Sequence, residues 1–190
     1  MNVDVVNFID LLIKFQGTDR HIPIPRLNRV ENDTEHSYNL AMTAWLIIAA
    51  DKLPLSLDLV IRYALVHDLV EVYATDAFAL DDKQVAQKEE KEHAALNKLE
   101  KNGLTKEFVE LIRQYEKLED EESKFVYGLD KLMPAFTLIH GKVGLWKEHN
   151  VSLQAWDEKF RSKIEMSRYL TPYLDQLIEL QKDNPALLAN

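Results

Sequence analysis

Apolar residues recur three and four positions apart along most of this chain, a spacing typical of amphipathic α-helices. The first run extends from Val5 to Phe15, and Gly17 follows it as a helix-stopping residue. The same spacing predicts helices over 35–51, 57–73, 85–101, 121–148 and 151–181, and another that begins after Thr105. Thr34 is the predicted N-cap of the second helix. Because no run alternates convincingly in the manner of a strand, the pattern predicts an all-α protein with a loose tail over 182–190.

The length and composition are those of one folded unit. The chain has 190 residues, of which 46% are hydrophobic and 29% charged, as is ordinary for a globular protein with one core. It contains no cysteine, which excludes disulfides, thiolate zinc sites and cysteine nucleophiles. Any metal must therefore be held by His, Asp or Glu. We predict a single domain over residues 1–190.

The charge balance limits the range of partners. A formal net charge of −9 makes the chain a poor general binder of nucleic acid or anionic membranes. It does not argue against a small phosphorylated substrate, because a bound metal inverts the local field. The N-terminal residues Met1 to Asp4 lack the basic region of a signal peptide, and the longest apolar run, Leu40 to Ala50, is too short to cross a bilayer. We predict a cytoplasmic protein with no membrane or nucleic-acid partner.

Three polar residues interrupt an apolar segment near the end of the predicted 57–73 helix. These are His67, Asp68 and Glu71, and buried charged groups of this kind are normally paired or bound to a metal. On a helix, Glu71 lies four residues from His67 and three from Asp68, so it neighbours both. An imidazole with carboxylates suits a divalent transition metal. The alternative is a satisfied core histidine beside a carboxylate at a helix end.

Two further residues are candidates for the same kind of site. His36 lies in the first turn of its predicted helix and is either a ligand or an exposed first-turn residue. Asp130 lies in the apolar run Phe125 to Met133, where a carboxylate needs a partner. The alternative is a surface aspartate paired with Lys131 or Lys124. Pro134 cannot donate a hydrogen bond to the carbonyl of Asp130, so we expect a kink there.

The segment 18–34 loses the helical pattern and contains Pro23 and Pro25, which favour extended backbone. Arg20, Arg26 and Arg29 are spaced along it. They are either solvated surface residues or an anion clamp, because guanidinium groups match phosphate oxygens bidentately.

The stretch Glu90-Lys91-Glu92-His93 contains Glu-x-x-His, a spacing found in di-iron carboxylate bundles. Such sites need two of these motifs and two further glutamates, and the sequence contains one motif. We therefore interpret this stretch as a solvated helix face of mixed charge.

Taken in order, the candidates resemble the H…HD…D pattern of the HD-domain metal-dependent phosphohydrolases. Arg29 to Ser37 is similar to the first motif of the 5'-deoxynucleotidase branch, His67 to Asp76 to its second and Ser123 to Lys131 to its third. The resemblance implies an all-α HD-domain bundle of about six to eight helices. Its core covers about 20–140, and the 151–181 helix packs on that core.

The resemblance also implies roles for individual residues. The metal ligands would be His36, His67, Asp68 and Asp130, and the family's metals are manganese, cobalt or magnesium, with iron or zinc in the isolated protein. Glu71 and Asp76 match the catalytic acidic pair that orients or activates the attacking water. Arg20, Arg26 and Arg29 fall where this branch keeps its phosphate-contacting arginine. Thr75 and the stretch Ala77-Phe78-Ala79 depart from the family pattern beside the substrate pocket.

The resulting hypothesis is a metal-dependent phosphatase that releases phosphate from nucleoside 5'-monophosphates. One alternative is a phosphodiester or pyrophosphate hydrolase of the alarmone type on the same metal core. Another is a non-catalytic HD module that senses nucleotides or serves as a scaffold. The resemblance further implies a homodimer, which apolar surface on the last helix would suit.

Overall fold

The computed structural model describes residues 4–74 and 88–189, and helices dominate this part of the chain. Two short strands, β1 (Asp19–Pro23) and β2 (Val30–Asn32), form an antiparallel ribbon. The helices are α1 (Val5–Gln16), α2 (Asp33–Asp51), α3 (Leu57–Val66), α4 (Glu71–Ala74), α5 (Lys88–Lys101), α6 (Lys106–Lys117), α7 (Glu121–Gly141), α8 (Leu145–Glu148), α9 (Leu153–Ile164) and α10 (Thr171–Asp183). A 3₁₀ turn over Pro185–Leu187 follows.

The predicted all-α fold class is confirmed, since eight of these helices have ten residues or more. The prediction that no strand forms is wrong for the segment 18–34. The extended backbone favoured by its prolines closes into the β1–β2 ribbon. Within the described part of the chain, no helix is long and apolar enough to span a membrane.

Helix α2 begins earlier than its predicted N-cap. The N-cap is Asn32, whose side chain accepts a hydrogen bond from the backbone N–H of Glu35, while the Glu35 carboxylate accepts one from the backbone N–H of Asn32. This reciprocal pair is a capping box, and it replaces the predicted cap at Thr34. The earlier start includes Asp33 in the first turn, where its side chain is fully buried.

The predicted 57–73 helix is interrupted at the residues of greatest chemical interest. Helix α3 ends at Val66, and turn hydrogen bonds follow, from Leu69 to the carbonyl of Val66 and from Glu71 to the carbonyl of Asp68. Helix α4 then restarts at Glu71. Asp68 therefore lies on a turn between two helices rather than on a continuous helix face.

Helix α7 is the central element of the bundle. It packs against α2, α3, α9 and α10, and Pro134 lies inside it. At Gly128, an added Cβ would lie 2.7 Å from the side chain of Leu170 and 3.0 Å from the carbonyl oxygen of Ile164. The absence of a side chain at this glycine therefore allows the α9–α10 connection to approach the helix closely.

The C-terminal part differs from its prediction in three places. The 121–148 helix ends at Gly141 and α8 is separate, and residues 165–170 divide the 151–181 helix into α9 and α10. The tail is not loose, since Leu187 and Leu188 are buried and Ala189 donates a backbone hydrogen bond to Val151. Burial of these apolar side chains offsets the entropy that ordering the tail costs.

Candidate metal centre

Four polar side chains from separate parts of the sequence meet inside the bundle. His36 comes from α2, His67 and Asp68 follow α3, and Asp130 comes from α7, and these three helices pack against one another. All four residues are buried, and each offers a nitrogen or oxygen that lies within 4.8 Å of the others. The alternatives of an exposed His36 and a surface Asp130 are therefore wrong.

The hydrogen bonds of the two imidazoles direct the same ring atom into this cluster. Nδ1 of His67 lies 3.0 Å from the carbonyl oxygen of Ala64, which only accepts, so Nδ1 donates and Nε2 is the ring nitrogen that faces the cluster. Nδ1 of His36 lies 3.4 Å from a carboxylate oxygen of Glu31. Outer partners of this kind fix the orientation of metal-ligating histidines.

The Nε2 atom of His67 has a specific environment. It lies 3.0 Å from Oδ2 of Asp68, yet it makes no hydrogen bond among the described residues. A cation bound by this nitrogen would also lie within reach of the carboxylate. This buried nitrogen therefore fits a metal ligand better than a satisfied core histidine.

The acidic members of the cluster are held in their ionised form. Burial raises the pKa of Asp68, but His67 and Arg20 lower it more, and the pKa lies well below its ordinary value. Burial likewise raises the pKa of Asp130, and Lys131 and His36 bring it well below its ordinary value. Both side chains are carboxylates at neutral pH, as ligation of a divalent cation requires.

The pKa of His36 is shifted in the opposite direction, upward from its ordinary value. Burial and Arg20 lower its pKa, whereas hydrogen bonds to Asp130 and Glu31 raise it, with a net pKa of about 9. Its Nε2 lies 2.8 Å from Oδ1 of Asp130. A cation that binds Nε2 must therefore displace a proton from this imidazole.

The three candidate arginines lie in different surroundings. Arg20 reaches the cluster, with Nη1 2.6 Å from Asp68 and Nη2 3.8 Å from Asp130. Arg29 forms a bidentate pair with Glu35 at a partly exposed position. Arg26 adopts a positive φ of 68° and borders a different groove, beside His140. Of the three, the structure brings Arg20 to the predicted ligands.

Of the predicted catalytic acidic pair, Glu71 lies within the described residues and Asp76 does not. Glu71 is buried and, with Asp33 and Asp68, forms a group whose carboxylate oxygens lie within 4.8 Å of one another. Asp76 and the departures from the family pattern after Ala74 lie outside the described residues. Asp33 also accepts a 3.4 Å hydrogen bond from Arg20.

The donor atoms of the cluster fit a divalent cation. Its acidic side chains are Glu31, Asp33, Asp68, Glu71 and Asp130. Among the described residues, Arg20 and Lys131 form ion pairs with members of this group. Buried carboxylates repel one another strongly, and their oxygens beside two inward-facing imidazole nitrogens match the donor set of a divalent metal.

An open cavity of about 660 Å³ leads to this cluster. The lining includes two predicted ligands from the 67–68 turn, Asp130 and Lys131 from α7, and Tyr115 from α6. Glu90, Glu92 and His93 of the Glu-x-x-His stretch line the same cavity. Glu90 and His93 are exposed, as expected of a solvated face, but the face borders the entrance to the cluster rather than bulk solvent alone.

Two residues that contact the predicted ligands or Arg20, Glu31 and Asp33, were not predicted from the sequence. Lys131 was predicted as a possible partner of Asp130, and it forms that pair. The capping box between Asn32 and Glu35 was a usable signal, because it sets the helix start and makes Asp33 a first-turn residue. No sequence signal distinguishes Glu31 from the other acidic residues nearby. Its role depends on how the β1–β2 ribbon lies over α2.

Comparisons with known proteins agree with this architecture. The HD domain family model matches residues 14–169. A predicted metal-dependent phosphohydrolase from Magnetospirillum magnetotacticum MS-1 superposes with a TM-score of 0.83 at 28% identity, covering 99% of this chain and 97% of that one. The PH0347 protein from Pyrococcus horikoshii OT3 has a TM-score of 0.65 at 22% identity over 90% of this chain and 99% of that one, and it supports the fold alone.

The matches to curated relatives cover a smaller part of this chain than the structural matches do. The human 5'-deoxynucleotidase HDDC2 is 32% identical over 108 residues, which are 55% of this chain and 52% of that protein. The HDDC2 protein of Danio rerio is 29% identical over 136 residues, 67% of this chain and 66% of its own length. The chain thus spans about half the length of the first curated relatives that it matches.

Proposed function

This chain belongs to the HD domain family, and from that premise we propose that it is a metal-dependent phosphohydrolase that releases phosphate from nucleoside 5'-monophosphates. The observation that carries the proposal is the buried meeting of His36, His67, Asp68 and Asp130 at the end of an open cavity. The likeness to a predicted metal-dependent phosphohydrolase over nearly the whole chain supports the reaction class. The matches to 5'-deoxynucleotidases support the substrate class.

In this proposal the four clustered residues hold a divalent metal, with the imidazoles using Nε2. When bound, the cation supplies a Lewis acid that activates water and offsets phosphoryl charge. Manganese or cobalt suits the mixed nitrogen and oxygen donors, magnesium prefers oxygen donors alone, and iron or zinc remains compatible with the isolated protein.

The surrounding side chains orient the reactants. Glu71, buried beside Asp68, is proposed to accept the proton of the attacking water, and Asp76 keeps its predicted role as the second acid. Arg20 is proposed to bind a phosphoryl oxygen, because its guanidinium lies between the predicted ligands Asp68 and Asp130. Asp33 accepts a hydrogen bond from Arg20 and thus holds it at this position.

The test is phosphate release from a panel of nucleotides with added Mn²⁺. Turnover of 5'-monophosphates that is lost in Asp68→Asn supports the proposal, and a comparison of ribose with deoxyribose substrates measures sugar preference. Turnover of diesters or pyrophosphates alone would instead establish the second enzymatic hypothesis on the same metal core. Binding of nucleotides without turnover of any of them would leave the sensing module.

We also propose that two copies associate. The large exposed apolar side chains lie chiefly on α1 and α2. Within the predicted 151–181 helix Met166 is exposed, and the large apolar side chains of α10 are buried or half-buried, so most of the exposed apolar surface lies elsewhere. Trp45 and Leu46 on α2 are 51% and 68% exposed, and Ile9 on α1 is 51% exposed. Exposed apolar surface of this kind marks an interaction site. Sedimentation of the wild type and of Leu46→Glu tests this association, and we expect the substitution to shift the protein from dimer to monomer.

A cytoplasmic location stays a prediction of the sequence.

A further inference from the structure

Tyr115 lies at the end of the buried face of α6. Val109 and Ile112 precede it at intervals of three residues, and both are buried in the core. Tyr115 itself is 8% exposed, and it lines the cavity that opens onto the cluster together with the predicted ligands His67 and Asp130. The apolar spacing of the helix therefore places a side chain with a polar end at the wall of this cavity.

Two aromatic neighbours hold the ring of Tyr115. Its centre lies 5.9 Å from that of the His67 imidazole, at an interplanar angle of 79°. The centre of the Tyr63 ring lies 5.7 Å away, at an angle of 48°. Ring pairs in such edge-on or tilted arrangements stabilise each other. The ring of Tyr115 is thus held in contact with a predicted metal ligand.

The two neighbouring tyrosines differ in their hydroxyl groups. Tyr63 donates a 2.7 Å hydrogen bond to Asp120, whereas the Tyr115 hydroxyl makes no hydrogen bond with any residue that the structure describes. A buried tyrosine hydroxyl normally has a partner. Because a tyrosine keeps its proton at neutral pH, Tyr115 offers an unused donor at the cavity wall.

This donor lies near the acidic members of the cluster. Burial raises the pKa of Tyr115 well above its ordinary value, and the charges of Asp130 and Asp68 raise it further. Both carboxylates are predicted metal ligands. A group that binds to the metal from the cavity would therefore approach the Tyr115 hydroxyl.

Much of the remaining lining is unfavourable to an anion. It includes the carboxylates of Asp68, Glu90, Glu92, Glu116 and Asp130. A phosphate monoester carries about two negative charges at neutral pH. Its oxygens must therefore face the metal and hydrogen-bond donors rather than these carboxylates, and Tyr115 supplies a neutral donor beside the predicted ligands.

We infer that the Tyr115 hydroxyl donates a hydrogen bond to a phosphoryl oxygen of the substrate. This inference rests on the proposed phosphatase function. Arg20 reaches the same cluster from β1. The phosphate would thus be held by donors from β1 and α6, two elements that carry none of the four predicted metal ligands.

A purely structural role of Tyr115 makes a different prediction. If Tyr115 acted only through the contact of its ring with His67, Tyr115→Phe would keep that contact and change neither metal nor phosphate binding. If the hydroxyl served a metal ligand instead, the same variant would lose Mn²⁺ affinity. A hydrogen bond to phosphate predicts weaker phosphate binding alone, because hydrogen bonds to charged groups are stronger than those between neutral groups.

The experiment measures binding of inorganic phosphate to the Mn²⁺-loaded protein by calorimetry, after the Mn²⁺ dissociation constant of each variant is determined separately. Only the phosphate binding that requires Mn²⁺ is counted. We expect Tyr115→Phe to weaken this binding at least about tenfold, with Mn²⁺ affinity changed less than about threefold. Tyr63→Phe is the matched control, because it removes the hydroxyl of the neighbouring tyrosine, which is bound to Asp120. We expect it to leave both affinities unchanged.

Four results would overturn the inference: unchanged phosphate binding in Tyr115→Phe, a loss of phosphate binding that merely follows an equal loss of Mn²⁺ affinity, an equal loss in Tyr63→Phe, or no Mn²⁺-dependent phosphate binding to the wild type. If Tyr115→Phe does not fold, Tyr115→Met repeats the test with another side chain that lacks a hydroxyl. The separate Mn²⁺ measurement then reveals any effect of the lost ring on His67.

The measurement needs no turnover, so the two proposals fail separately. Phosphate binding that depends on Tyr115 in a protein that hydrolyses no nucleotide would refute the proposed function and leave the contact with phosphate standing. Turnover of 5'-monophosphates by a protein whose phosphate binding is unchanged in Tyr115→Phe would refute the contact alone.

Discussion

Helix α7 contains two regions with opposite physical character. Around Gly128 the helix lies so close to Ile164 and Leu170 that there is no room for a Cβ. Two residues further along, Asp130 and Lys131 enter a cluster of charged groups beside an open cavity. One region stabilises the fold through apolar contact, and the other concentrates buried charge, which costs free energy unless it is compensated.

The apolar region of α7 supports the proposed chemistry of the charged region. Close packing of α7 on α9 and α10 fixes the position and rotation of the helix. The carboxylate of Asp130 is thereby held against His36 although the cluster contains four other acidic side chains. We therefore expect substitutions in the charged region to change ligand binding and turnover, and substitutions in the apolar region to change the free energy of unfolding.

The largest effect is expected from Asp68→Asn. The amide keeps the shape of the side chain but lacks the charge that binds a cation. We expect turnover of 5'-monophosphates to fall at least about a thousandfold, since the metal contributes several kcal/mol of transition-state stabilisation. The melting temperature of the metal-free protein should change little, because Arg20 still faces Asp33 and Asp130.

Asp58→Asn is the control, because Asp58 pairs with Arg62 at an exposed position and its loss should leave turnover unchanged. Full activity of Asp68→Asn would contradict the assignment of Asp68 to the metal.

The next effect concerns the orientation of His36. Glu31→Gln removes the carboxylate that lies 3.4 Å from Nδ1 of this imidazole. Loss of such an outer partner typically reduces metal affinity by about 10–100-fold, and we expect the Mn²⁺ dissociation constant to rise by that factor. Titration followed by electron paramagnetic resonance measures it. Glu100→Gln, on an exposed pair with Arg113, is the matched control, and an equal effect there would remove the special role of Glu31.

The apolar region is tested by Gly128→Ala. The new methyl group would lie 2.7 Å from Leu170 and 3.0 Å from the carbonyl of Ile164, so the packing must shift. Overpacking of this kind costs about 1–3 kcal/mol of unfolding free energy, which urea denaturation measures.

Gly144→Ala provides the comparison, because nothing lies within 4 Å of a Cβ at Gly144. We expect the folded fraction of Gly128→Ala to keep its Mn²⁺ affinity. A variant that lost Mn²⁺ affinity without losing stability would show that the two regions are not separable in this way.

The smallest effect is a pH dependence of cation binding. His36 has a pKa raised to about 9, so below that pH the imidazole is protonated and a cation must displace one proton. The Mn²⁺ affinity should therefore rise with pH, by up to about tenfold per pH unit, and level off near pH 9. Calorimetry at pH 6.5 and 7.5 in buffers of different ionisation enthalpy measures both the affinity and the proton released. No proton release would contradict the raised pKa.

The main features of fold and site were predictable because they depend on local pattern and residue order. Helical spacing of apolar residues identified most elements, and the order His36, His67-Asp68, Asp130 identified the four residues that the structure brings together. The helical spacing of apolar residues does not predict the residue at which a helix ends. The turn after Val66 and the break between α9 and α10 depend on contacts between elements.

The surroundings of the four residues were less predictable for the same reason. Asp33 and Glu31 look like ordinary polar residues before a helix. Asp33 reaches the cluster because α2 begins at this residue, and Glu31 reaches it because the β1–β2 ribbon packs on α2. Lys131 looks like a partner for Asp130, which it is. That it also borders a cavity depends on where α5 and α6 lie, and residue order alone does not contain that information.

The most direct test of the account is pulsed electron paramagnetic resonance on the Mn²⁺-loaded protein, which detects nitrogen nuclei bound to the metal. We predict one Mn²⁺ per chain with couplings to two imidazole nitrogens. One coupling should be lost in His36→Gln and the other in His67→Gln. Binding of Mn²⁺ without nitrogen coupling, or couplings that survive both substitutions, would contradict the assignment of these residues to one metal centre.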